Sequence, residues 1–123
     1  MRNLKPTNPA LSPGDLPRLI VERLNAADAD GIAELYESDA ILIGSDGQSI
    51  QGKAEIRSFY QKLLRDRPQF RPGVERCSIQ NGSIALTSSR LENGTVTTEV
   101  ARRQTDGTWL WAIDHPAIAQ ELV

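Results

Sequence analysis

The chain has 123 residues, 39% hydrophobic and 24% charged, with a formal net charge of −2 and a single cysteine, Cys77. That length fits one domain with a sizeable core and not two. Mild acidity with interspersed charge gives no case for nucleic acid or an anionic membrane as partner, and no apolar run approaches the ~20 residues of a membrane span. A lone cysteine excludes an internal disulfide and a cysteine-based metal motif, and fits a reducing cytoplasm.

Residues 1–14 read as a flexible leader rich in turn formers (Pro6, Asn8, Pro9), and 15–123 as the domain. Arg2 and Lys5 lack the apolar stretch that a secretory signal needs. Ser12-Pro13-Gly14-Asp15 spells a helix start, with Ser12 as cap, and Leu16, Leu19, Ile20 and Leu24 follow at helical spacing. A shorter stripe takes Ala29, Ile32, Ala33 and Tyr36. Asp39–Gly44 has the character of a strand, turned by Asp46-Gly47 toward Ser49-Ile50-Gln51. Gly52 opens the clearest helix, whose apolar face is Ile56, Phe59, Tyr60, Leu63 and Leu64, stopped by Pro68.

Beyond Pro72 the dipeptides Asn81-Gly82, Asn93-Gly94 and Asp106-Gly107 read as two-residue turns, which predicts a four-stranded meander over 73–80, 83–92, 95–105 and 108–116. Helices followed by a meander make an α+β fold with the helices on one sheet face. Counting back from each turn sets Glu99 opposite Asp114 and generates the row Glu75–Ser88–Glu99–Asp114. Beside it lie an apolar row through Cys77, Leu86, Ala101 and Ala112, and cations at Arg90 and Arg103. Such a face lines a small-molecule pocket. Two carboxyls directly opposite repel, so either one is protonated and available for acid–base work, or Arg90 or Arg103 neutralises the pair in a static network.

The same count puts Arg102, Trp109, Trp111, Ile113 and His115 on the other face, with Arg102 against Trp111. Uncovered, that face would be a homodimer interface. His115 has neither a second histidine nor a nearby cysteine, so it reads as a structural hydrogen-bonding residue rather than a metal ligand. Ser88 and Ser89 lack a histidine partner for a nucleophile triad. No glycine forms a phosphate loop, and no cofactor is expected.

The run Tyr36-Glu37-Ser38-Asp39-Ala40, the segment Gly47 to Gly52, Ile56, Phe59-Tyr60 and the closing Asp106-Gly107-Thr108-Trp109 resemble the nuclear transport factor 2-like superfamily, over about residues 15–116. Within it, the chain is similar to SnoaL-like and ketosteroid-isomerase-like small bacterial proteins. The resemblance implies a cystatin-like cone: a curved, mainly antiparallel sheet around N-terminal helices, a pocket in its mouth and frequent dimers through the sheet. It also implies that Tyr36 and Tyr60 are pocket residues and Glu99 an oxyanion donor. The isomerase's general base would fall at Gly44 and its main oxyanion donor at Ile20, so that mechanism is not carried over. Two functions follow. One is an isomerase, cyclase, dehydratase or hydrolase acting on a small, partly apolar substrate through Glu99 and Asp114, with Tyr36, Tyr60, Glu75, Arg90 and Arg103 as ligand contacts. The other is a non-catalytic ligand-binding or dimerisation module.

Overall fold

A computed structural model describes residues 8–121. The chain runs α1 (Asp15–Asn25), α2 (Ala29–Ala33), β1 (Tyr36–Ile43), β2 (Ser49–Gln51), α3 (Lys53–Leu63), β3 (Val74–Asn81), β4 (Ile84–Arg90), β5 (Thr95–Arg103) and β6 (Trp109–Gln120). The expected architecture is present, with helices packed on one face of a six-stranded sheet of order β2-β1-β6-β5-β4-β3. All neighbours are antiparallel except β1 and β6, which run parallel and join the N-terminal hairpin to the meander. Among the described residues no helix is long and apolar enough to cross a membrane.

The N-terminal expectations need three corrections. Ser12 does not cap α1 through its side chain; instead the Asp15 carboxylate accepts from the backbone N–H groups of Leu11 and Ser12 at 2.9 and 3.2 Å. The leader is docked from at least Ala10, which is buried and bridges to Trp109, its carbonyl accepting the Trp109 N–H at 2.9 Å. Residues 1–7 of that leader lie outside the described residues. Tyr36 begins β1 rather than ending α2, because α2 is a single turn capped by Asp28 that finishes at Ala33.

The turns differ more consequentially. The loops at Asp46-Gly47, Asn93-Gly94 and Asp106-Gly107 share one build. Gly44, Leu91 and Gln104 each accept the loop glycine's N–H, and each donates to Gln48, Thr95 and Thr108 respectively. That is a three-residue loop, a type I turn followed by a left-handed glycine, with φ of 81°, 87° and 87°. In each, the Asp or Asn side chain accepts the N–H two residues on, at 2.9–3.0 Å. This Asx contact favours a right-handed conformation at Asp or Asn and so selects the longer loop over the two-residue turn. Only the Gly82-Ser83 loop has two residues, closed by Asn81 and Ile84.

One residue of difference per loop reverses a strand's faces. On β4 the inward residues are Ala85 and Thr87, both buried, while Ile84 and Leu86 face out. On β6 Trp109 and Trp111 turn inward, 3% and 2% exposed, and join Leu16, Leu19, Ile32, Tyr36, Leu42, Ile56 and Tyr60 in the core. The interface expected at the tryptophans is therefore overturned. They are the largest residues of the chain's own core, burial of which contributes roughly 2–3 kcal/mol each.

A buried carboxyl pair on the concave face

Glu99 and Asp114 are opposite each other on β5 and β6, as expected, but by two compensating departures. The Asp106-Gly107 loop shifts the pairing by one residue, setting Arg103 against Trp109 and Ala101 against Trp111. A bulge between Val100 and Ala101, with Ala112 as the extra residue, then shifts it back, so Val100 meets Ile113 and Glu99 meets Asp114. The inward row across the sheet is Ser78–Thr87–Glu99–Asp114–Leu42. Thr87 and Ser78 thus occupy the places expected for Ser88 and Glu75.

Both carboxyls are buried. Tyr36, at the start of β1, donates from its hydroxyl to Asp114 Oδ2 at 2.6 Å, and the Tyr60 hydroxyl of α3 lies 2.9 Å from that of Tyr36. With the Tyr36 proton committed to Asp114, Tyr60 is the donor to Tyr36, which gives a directional chain Tyr60→Tyr36→Asp114. Thr87 Oγ1 donates to Glu99 Oε1 at 2.7 Å. Burial, with the neighbouring charge of Glu99, pushes Asp114 up to about 7, while the Tyr36 hydrogen bond opposes that rise. Burial also raises Glu99, against the hydrogen bonds from Thr97 and Thr87. Desolvation and the nearby carboxylates hold both tyrosines neutral.

Trp111 packs its ring on Tyr36, centroids 5.3 Å apart, and its buried indole N–H has no acceptor among the described residues. A buried donor left so costs roughly 1–3 kcal/mol. Phe59 meets Tyr60 edge-on at 5.1 Å. Aromatic rings therefore wall one side of the acid pair.

The expected cations are elsewhere. Arg90 stands at the far end of β4, 3.9 Å from Glu121, and Arg103 is exposed beside the hairpin tip. Neither neutralises Glu99 or Asp114, so the static network through arginine is absent. Glu75 is exposed on the edge strand opposite Ser89, displaced by a bulge between Glu75 and Cys77. Arg102 does not stack on Trp111; it faces Leu110 and binds Glu37 at 3.0 Å, with Gln104 on the same carboxylate at 2.8 Å. Ile113 is exposed, and His115 is half-buried opposite Thr98.

Sequence counting missed Thr87 and the role of Trp111. The Asx-Gly-Thr pattern of the two meander loops was the available signal for both, since it specifies the loop length that brings them inward. Two surface clefts lie apart from the pair. One is lined by Asp28, Asp30, Gln61, Arg65 and Arg67, the other by Glu37, Asp39, Lys53, Arg102 and Leu110. Among the described residues no three His, Cys, Asp or Glu side chains gather as metal ligands would.

Residues 18–121 match the model of the SnoaL-like domain. No curated protein matches the chain. Among solved structures, a domain of unknown function with a cystatin-like fold from Nostoc punctiforme superposes with a TM-score of 0.74 at 15% identity, over 89% of this chain and 75% of that one. A nuclear transport factor 2-like protein of unknown function from Shewanella oneidensis gives 0.69 at 20%, over 83% and 93%. A ketosteroid isomerase-like protein from Erwinia carotovora atroseptica gives 0.66 at 16%, over 86% and 93%. At such identities the likeness speaks for the cone fold alone. With a family model covering residues 18–121, the chain belongs to the SnoaL-like domain family.

Proposed function

We propose that this SnoaL-like protein binds a small, partly apolar molecule in the interior of its cone and acts on it by acid–base chemistry through Asp114 and Glu99. The observation that carries this reading is a carboxyl pair buried with no cation beside it among the described residues, where burial pushes Asp114 up to about 7. A neutral Asp114 donates a proton or hydrogen bond to an oxygen of the substrate, and Glu99, when ionised, is the matching base. Tyr36 and Tyr60 act through Asp114, fixing its carboxyl plane and opposing its protonation, so they are positioning residues. The orphaned Trp111 N–H favours a ligand that brings an oxygen acceptor into the interior. The reactions in view are isomerisation, cyclisation, dehydration or hydrolysis. The steroid-isomerase mechanism is not among them, because Gly44 and Ile20 carry no acid, base or hydroxyl.

The test is turnover of a panel of small enolisable ketones, epoxides and β-hydroxy acids by the native protein, Glu99→Gln and Asp114→Asn. Activity lost in both variants with the fold retained supports the reading, and activity that survives both overturns it. A second reading, a non-catalytic binding or dimerisation module, is favoured by the position of the two surface clefts away from the acids. For assembly we propose a homodimer through the outer sheet face. There the register aligns Ile79, Leu86, Val100, Ile113 and Ile41 in one row, with Ile113 47% and Ile79 59% exposed. Arg102 and His115 would lie beside that row.

A further inference from the structure

Helix α3 packs on β1 and β2, whereas β3, the next element in the chain, lies at the opposite edge of the sheet. Residues 64–73 therefore bridge from the β1–β2 side of the sheet to its β3 edge, about 19 Å at four strand spacings of ~4.8 Å. The helices pack on β1, β2 and β6, yet Thr87 on β4 and Glu99 on β5 are as buried as the core.

The two ends of the segment are tightly set. Arg67 takes a left-handed φ of 50°, and a side chain at Gly73 would come within 2.9 Å of Leu91 Cδ2 and 3.2 Å of the Arg90 carbonyl oxygen. Between them, residues 68–73 have no regular structure. Their midpoint is gripped by one side chain: Asn25, the last residue of α1, donates from Nδ2 to the Phe70 carbonyl at 3.0 Å and accepts the Phe70 N–H at 2.7 Å. The Phe70 ring is half-buried against the core.

We propose that residues 64–73 are a hinged strap that closes the carboxyl pair from water, with Phe70 as its plug and Asn25 as its latch. This rests on the reading of Glu99 and Asp114 as the functional site, because it names how that site is reached. A ligand enters by displacing Phe70, and Asn25 sets how often the strap opens.

The test is the exchange of the Tyr36 and Tyr60 hydroxyl protons with water, followed by NMR in the native protein and in Asn25→Ala. Loss of the two-point grip raises strap opening, and hence hydroxyl exchange, about ten- to thirtyfold. The amides of Val100 and Ile113, deep in the β5–β6 ladder, keep their native rates. Asn25→Asp retains the acceptor for the Phe70 N–H but not the donor. It gives an intermediate factor and serves in place of the alanine variant should that one not fold. Hydroxyl exchange unchanged while the Phe70 amide loses protection overturns the proposal, as does equal acceleration of hydroxyls and ladder amides. Failure of the turnover assay leaves this measurement intact, and unchanged hydroxyl exchange leaves the acid–base reading intact.

Discussion

Asp114→Asn isolates what the buried carboxyl does to the protein's stability. In the native fold Asp114 titrates at about 7, against an ordinary value of 3.8. The folded state therefore holds a proton on this group that the unfolded chain has already released between those two values. Its contribution is neutral below pH 3.8 and turns destabilising as pH rises, with the full penalty reached above about 7. A difference of about three pKa units corresponds to roughly 4 kcal/mol. Asparagine mimics the protonated form and still accepts the Tyr36 hydroxyl, so the variant lacks this penalty. Urea unfolding followed by circular dichroism from pH 4 to pH 8 reads the effect. The two proteins have nearly equal stability at pH 4, and the native protein falls progressively below the variant as pH rises, by up to about 4 kcal/mol at pH 8. Glu99 is also raised and faces Asp114, so the difference curve reports the coupled pair, with both members sloping the same way. Parallel curves would refute the claim that Asp114 is buried and neutral.

Two further outcomes are expected. Ala27 sits just past α1 with φ 53°, where the Asp28 N–H bonds back to the Arg23 carbonyl at 2.9 Å, the place at which helices favour glycine. Ala27→Gly relieves the left-handed strain and raises thermal stability by about 0.5–1 kcal/mol after the entropy of the more flexible unfolded chain is subtracted. A lower melting temperature would count against that account of the turn. Ile113→Glu places a charge in the middle of the outer apolar row without touching the core. The proposed homodimer predicts dimers for the native protein and monomers for this variant in sedimentation, and an unchanged assembly state rules this face out as the interface.

The sequence by itself determined the elements and most of their order. Leu16 and Leu19, and Ile56 and Tyr60, sit inward because helical spacing leaves no other consistent face, and the Asx-Gly dipeptides mark every hairpin. It also placed Glu99 opposite Asp114, although the simple count reached the right pair only because a loop shift and the bulge at Ala112 cancel. Which face each strand presents turned on loop length, which local Asx contacts set and a simple two-residue count overlooks. A loop longer by one residue inverts a strand, and that single unit separates two surface tryptophans from two core tryptophans and Ser88 from Thr87. Bulges arise from packing between distant segments, as at Glu75 and Ala112, and leave no local signature. The partners of the acids were likewise beyond local reading. Tyr36 reaches Asp114 across 78 positions of chain, and it does so because the parallel β1–β6 pairing, which no turn encodes, lays the two strands side by side.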